Sequence, residues 1–162
     1  MTDPAEAQAV LGRAASAKTV GIALEKNREN MLPLFSMGSE ITGAAFAFSH
    51  DGKEEVVSIL VGGTLTAEAL LKQISALTES RAEISMFDVK QDMKNFRVCR
   101  PENVFDVHVA AYLLNPLKSS YEPNDVAREY LDLTIDGKLS EEKKRCYEAY
   151  TMYQGAAILR EK

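Results

Sequence analysis

Glu25 closes the apolar run Thr19–Glu25, TVGIALE. A carboxylate at the end of a strand becomes useful when a second lies two residues before it, because alternate strand residues share a face. An Asp-x-Glu pair of that kind supplies oxygen ligands for hard divalent cations. Two such ions, about 4 Å apart, can activate water and stabilise the leaving oxygen in phosphodiester hydrolysis. Here the residue two before Glu25 is Ala23, so the pair is half missing. Asp88 and Asp92 form a second acidic pair, one turn apart on a helix face. Metal ligation by Asp92 competes with a plainer reading, in which Asp88 is a helix N-cap and Asp92 a solvated acid.

The other reactive side chains read as structural. Cys99 and Cys146 have no CxxC spacing and no neighbouring histidine pair, so they are expected as free thiols in a reducing compartment. Asp106 opens a helix and reads as its cap. His50 adjoins the turn signal Asp51-Gly52 and is expected at the surface, and His108 has no second ligand at metal spacing. Gly62-Gly63 is not followed by Lys-Ser/Thr, which excludes a phosphate loop. Lys138–Arg145 is interrupted by Glu141 and Glu142 and reads as a solvated helix face, not a DNA groove.

The elements that would position these groups follow from periodicity. Residues 4–17 are alanine-rich and helix-prone, with Asp3-Pro4 as cap and first-turn proline. Thr19–Glu25, Ile41–Phe48 and Glu55–Val61 read as strands, the last two joined at Asp51-Gly52. Two hairpin-like connections in a row imply three antiparallel strands. Ala67–Glu79 has apolar residues at helical spacing behind Thr64 or Thr66. Ala82–Phe87 is a short strand, Asp88–Phe96 a short helix, and Val104-Phe105 a brief extended stretch. Helices follow from Asp106 to Leu114, over Pro123–Leu133 and over Ser140–Arg160, the last capped by Ser140. The order β-β-β-α-β-α-β-α-α-α gives an α/β class with a mixed five-stranded sheet, three strands antiparallel, flanked by helices. It is the order of the ribonuclease H-like exonuclease fold.

Two stretches carry a closer resemblance. Ser85-Met86-Phe87-Asp88-Val89-Lys90 and Val104–Pro116 (VFDVHVAAYLLNP) resemble the 3′–5′ exonuclease domain of bacterial family A DNA polymerases, the DNA polymerase I family. Asp125–Leu131 (DVAREYL) resembles a later helix of that domain. The resemblance runs over roughly residues 18–160, leaving 1–17 as an N-terminal helix or linker and 18–162 as the domain. It implies four metal-binding carboxylates in active members. Glu25 matches the strand Glu and Asp92 the helix Asp. Ala23 stands where the first Asp belongs, and Met152 where the last-helix Asp belongs. No acid occurs from Ala149 to Leu159, so a shifted register restores nothing. Two carboxylates balance half the charge of two divalent ions, and the bridging ligand is gone. The resemblance therefore implies a vestigial domain with no metal, no cofactor and no exonuclease activity. The alternatives are an active nuclease recruiting Asp88 and Glu148, and a free-standing module binding nucleic acid or protein.

Composition agrees with a subordinate role. The 162 residues are 46% hydrophobic and 27% charged, which suits one globular domain. A net charge of −5 is poor for holding DNA alone, so DNA contact is expected through the parent polymerase. The expected partner is a polymerase domain of the same parent chain, with exposed apolar residues on the last helix as docking surface. A monomer is expected. No apolar run approaches the roughly 18–20 residues of a membrane span, and MTDPAEAQ lacks a basic signal region, so the protein reads as cytoplasmic and without membrane contact.

Overall fold

The run TVGIALE alternates large and small side chains, which gives the sheet two unlike faces. In the computed structural model, which describes residues 3–27, 40–94 and 96–162, this run lies in β1 (Thr19–Asn27). β2 (Glu40–His50) and β3 (Lys53–Leu60) complete an antiparallel unit, joined by a two-residue turn in which Asp51 and Gly52 both have positive φ. Such a turn matches the twist of the strands it links. The expected connection between β1 and β2 lies outside the described residues. β4 (Glu83–Met86) and β5 (Val104–Asp106) run parallel to β1, giving the order β3-β2-β1-β4-β5.

The large face carries Val20, Ile22, Leu24, Phe46, Phe48 and Ile84. It packs against α1 (Pro4–Ala15) and α2 (Ala67–Glu79) through Val10, Leu11, Leu70 and Ile74. Arg13 of α1 also reaches Glu55 on β3, at 2.9 Å. The small face pairs Gly21 with Ala47, Ala23 with Ala45 and Glu25 with Gly43. Its thinness lets α6 (Glu141–Arg160) lie directly on the sheet, with Ala149 against Ala23, Ala45 and Ala47. α4 (Val107–Leu114) and α5 (Pro123–Leu131) pack beside α6, around Val107, Val126, Met152 and Leu159.

A bulge interrupts β1–β2 pairing, with Glu25 opposite Gly43 but Lys26 opposite Ile41. Thr42 is the extra residue, and the slip switches the parity of β2. Ile41 thereby enters the large-face core while Ala45 and Ala47 stay under α6. Lys26 shares the face of Ile22 and Leu24, and points away from Glu25.

Two expectations need correction. The helix expected over Asp88–Phe96 is only one turn, α3 (Val89–Asp92). Met93 leaves the helix half exposed so that Phe96 can turn into the core. A 3-10 turn at Pro101–Asn103, unannounced by periodicity, leads into β5. The docking face expected on α6 is reduced to Tyr147 among its large apolar residues, at 39% exposure, whereas a larger exposed apolar group lies on and just after α4, with Leu113 71% and Leu117 94% exposed.

Candidate functional site

The carboxyl ends of β1 and β4 open on a cavity of about 420 Å³. Crevices at this end of parallel strands are where open α/β sheets place ligands. Ala23 and Lys26 of β1 line it, with Asp88 and Asp92 at the α3 corner, Glu122 before α5, and Arg145, Glu148 and Met152 of α6. Glu25 is not among the lining residues. It turns along the small face, within electrostatic reach of the Cys146 thiol.

Asp92 is not a solvated acid. It is 6% exposed, and the Lys26 ammonium donates to its Oδ1 at 2.5 Å. Burial pushes its carboxyl above the usual aspartate range. The Lys26 hydrogen bond and charge pull the other way, and the nearby Asp88 and Asp106 charges add to the rise. Without an adjacent cation, a carboxylate in this position would be costly to ionise.

Asp88 sits at the N-cap position but caps nothing with its side chain, and its backbone is left-handed at φ 54°. Asp106 does the capping instead. Its Oδ1 accepts from the Asp88 and Val109 amides at 3.2 Å, and its Oδ2 from the Val89 amide at 2.9 Å. One carboxylate thus serves the starts of both α3 and α4.

The expected solvated face at Lys138–Arg145 holds only in part. Arg145 turns into the cavity and donates to both oxygens of Glu148, at 2.7 and 2.8 Å. Burial pushes the Glu148 carboxyl up, against the attraction of Arg145. A raised folded-state pKa means the folded state holds its proton more tightly, so stability declines as pH rises from 4.5 through the raised value. Glu148→Gln removes that term. Urea denaturation at pH 5 and pH 8 is expected to show the variant-minus-wild-type difference moving in the variant's favour as pH rises. Movement in the opposite sense would show that Arg145 outweighs burial.

Ala23 and Met152, where the resemblance expects acids, are packing residues. Ala23 belongs to the alanine layer under α6. Met152 is 1% exposed among Val107, Ala111 and Val126, and its carbonyl accepts from buried Ser85 at 2.8 Å. Met152→Ala is expected to cost about 2–4 kcal/mol by thermal denaturation, as for other buried methionines. A loss under 1 kcal/mol would mean that the cluster does not depend on it.

His50 is half-buried, with Nε2 3.3 Å from Asp51 Oδ2. His108 stacks near Phe87 and Tyr121, at centroid distances of 4.9 and 5.9 Å. Cys99 and Cys146 are free thiols, the latter pushed up in pKa by burial and by Glu142 and Glu25. Among the described residues, no three His, Cys, Asp or Glu side chains converge to hold a metal ion. Lys26 and Arg145, the two cations of the cavity, were missed as site residues. A lysine at the end of a buried apolar strand was the available signal for the first, and Arg145–Glu148 spacing for the second.

Solved structures with the same architecture fix the fold. The chain superposes on the POL domain of Pol1 from M. smegmatis with a TM-score of 0.68 and 18% identity, covering 98% of this chain and 26% of that one. It superposes on Trypanosoma brucei RNase D with a TM-score of 0.71 and 13% identity, covering 97% and 62%. Brucella melitensis NrnC with bound Mg2+ gives 0.59 and 15%, covering 91% and 74%.

The fold is the ribonuclease H-like exonuclease fold.

The chain spans about a quarter of the Pol1 chain and under two thirds of the RNase D chain. No family model and no curated protein matches the sequence. Among the described residues, no helix is long and apolar enough to cross a membrane.

Proposed function

We propose that this chain is a vestigial 3′–5′ exonuclease domain of a family A DNA polymerase, retained as a structural support for the polymerase domain and without proofreading. The observation that carries this reading is the state of the cavity. Of the four positions where the resemblance requires acids, Ala23 and Met152 pack into apolar clusters, Glu25 lies outside the cavity lining, and Asp92 is bound to Lys26. A pair of divalent ions does not fit this donor set. The formal charge of the lining is −2, from four acids against Lys26 and Arg145, and two of those acids are already neutralised. Without metal, such a lining repels a phosphodiester backbone. DNA contact therefore passes through the parent polymerase. Val109, Tyr112, Leu113 and Leu117 offer an apolar surface for its polymerase domain.

One observation favours a second reading. Asp88 and Glu148 line the same cavity as Asp92, as an active site with substituted ligands would need. Against it, both oxygens of Glu148 are held by Arg145.

A restoration series separates the two. Ala23→Asp with Met152→Asp is expected to remain inactive in Mg2+-dependent 3′-end degradation, because Lys26 still holds Asp92. Adding Lys26→Ala is expected to give the first detectable cleavage, with folding checked by circular dichroism. Activity of the unmodified chain that depends on Asp88 and Glu148 would support the second reading instead.

A further inference from the structure

We infer that the Lys26 ammonium is a resident cation standing in for a metal, and that the Asp92 corner is a latent site for one divalent ion which Lys26 keeps closed. This rests on the reading of the cavity as a decayed metal site. Three observations carry it. Asp92 is buried deeply enough to require a positive partner, and the ammonium meets it at 2.5 Å with 25% of the lysine side chain exposed. The Thr42 bulge sets Lys26 opposite Ile41, and from there its head meets Asp92 of α3 in the cavity that both residues line. Asp88 lines the same corner, and its charge acts on Asp92. With the amine removed, two carboxylates would share a water-filled corner, an environment that Mg2+ or Mn2+ accepts while keeping several waters.

The amine accounts for the persistence of Asp92 where its former partners are gone. An acid freed from catalysis would be lost or exposed, because an uncompensated buried charge is strongly destabilising. Here Asp92 keeps a structural use, tying the end of β1 to α3 across 66 residues of sequence.

The test compares thermal unfolding of the full chain and its variants at neutral pH, without metal and with millimolar Mg2+ or Mn2+. Mn2+ binding is followed in parallel by electron paramagnetic resonance. Lys26→Met, which keeps the stem, is expected to lower Tm by roughly 10 °C without metal. Metal is expected to return about 4 °C of that, with Mn2+ signal lost to the protein. Wild type, Lys26→Arg and the Lys26→Met, Asp92→Asn double variant are expected to ignore both ions. A Lys26→Met variant that folds but shows no response to metal overturns the latent site and leaves the vestigial reading standing. A wild-type chain that binds Mn2+ overturns the vestigial reading itself. Should Lys26→Met not fold, Lys26→Gln, with a neutral head that still donates to Asp92, answers the same question.

Discussion

Replacing Gly21 by alanine is expected to prevent stable folding, at a cost above about 4 kcal/mol. Gly21 lies in the middle of the small face, paired with Ala47 on β2 and Ser85 on β4. A Cβ there would stand 2.5 Å from the Tyr153 amide nitrogen, 2.9 Å from its Cβ, and closer still to the carbonyl oxygen of Ala149. Two of these atoms are backbone of α6, so no rotamer change makes room. Overpacking a core with one methyl group usually costs about 1–3 kcal/mol because side chains can shift. Here the helix as a whole would have to lift from the sheet, taking Met152 and Ala149 with it and opening the cavity. Gly12 is the control. Nothing lies within 4 Å of a Cβ built there, and it sits inside α1, so Gly12→Ala is expected to stabilise by about 1 kcal/mol. Circular dichroism and urea denaturation of both variants decide the matter. A Gly21→Ala protein as stable as wild type would mean that α6 does not lie where described.

Asp106→Ala is expected to cost about 3–4 kcal/mol, more than an ordinary cap. A typical N-cap replacement costs roughly 0.5–2 kcal/mol for one bonded amide. Asp106 accepts from three amides across two helix starts, and two of those bonds are partly buried. A carboxylate gains further from the positive end of each helix. The Asp88 backbone, left-handed at φ 54°, is fixed by one of these bonds. Losing Asp106 therefore frees the α3 corner, and the Lys26–Asp92 contact should loosen with it. Asp106→Asn keeps one acceptor oxygen and is expected to lose about half as much. Hydrogen exchange at Asp88, Val89 and Val109 should quicken in the alanine variant. Unchanged protection at Val89 would show that Asp106 serves α4 alone.

The strands and long helices were legible because their signals are local. TVGIALE, ITGAAFAF and the Asp51-Gly52 turn each declare themselves within a few residues, and they supply the antiparallel half of the sheet. The acid missing at position 23 could be read from strand period alone. What stayed hidden is non-local. No residue type announces that Thr42 is a bulge, yet that slip decides which core Ile41 enters and which partner Lys26 faces. Lys26 meets Asp92 across 66 residues, and Asp106 caps a helix 17 residues earlier in the chain. Arg145 read as solvated because Glu141 and Glu142 interrupt the basic run, while the turn of α6 aims it inward. Asp88–Phe96 had helical spacing, but the burial of Phe96 outweighed propensity over so short a segment. Sequence pattern therefore located the elements, and the cavity's electrostatics emerged only from their packing.

In the proposed reading, the Lys26–Asp92 pair accounts for the loss of a metal centre better than a count of carboxylates does. A count alone leaves room for Asp88 and Glu148 as replacements, since both line the cavity. The pairing narrows that room, because Asp92 and Glu148 each already have a cation in contact. Breaking such a pair to admit a metal would strand the amine in a partly buried place.

The most direct measurement is digestion of a 5′-labelled single-stranded oligodeoxynucleotide by the purified, unmodified chain with Mg2+ and then Mn2+. An oligonucleotide that stays full length, as in the enzyme-free control, is the expected result. A ladder of 3′-shortened products that chelator stops and Asp92→Asn abolishes would show that a working metal site survives.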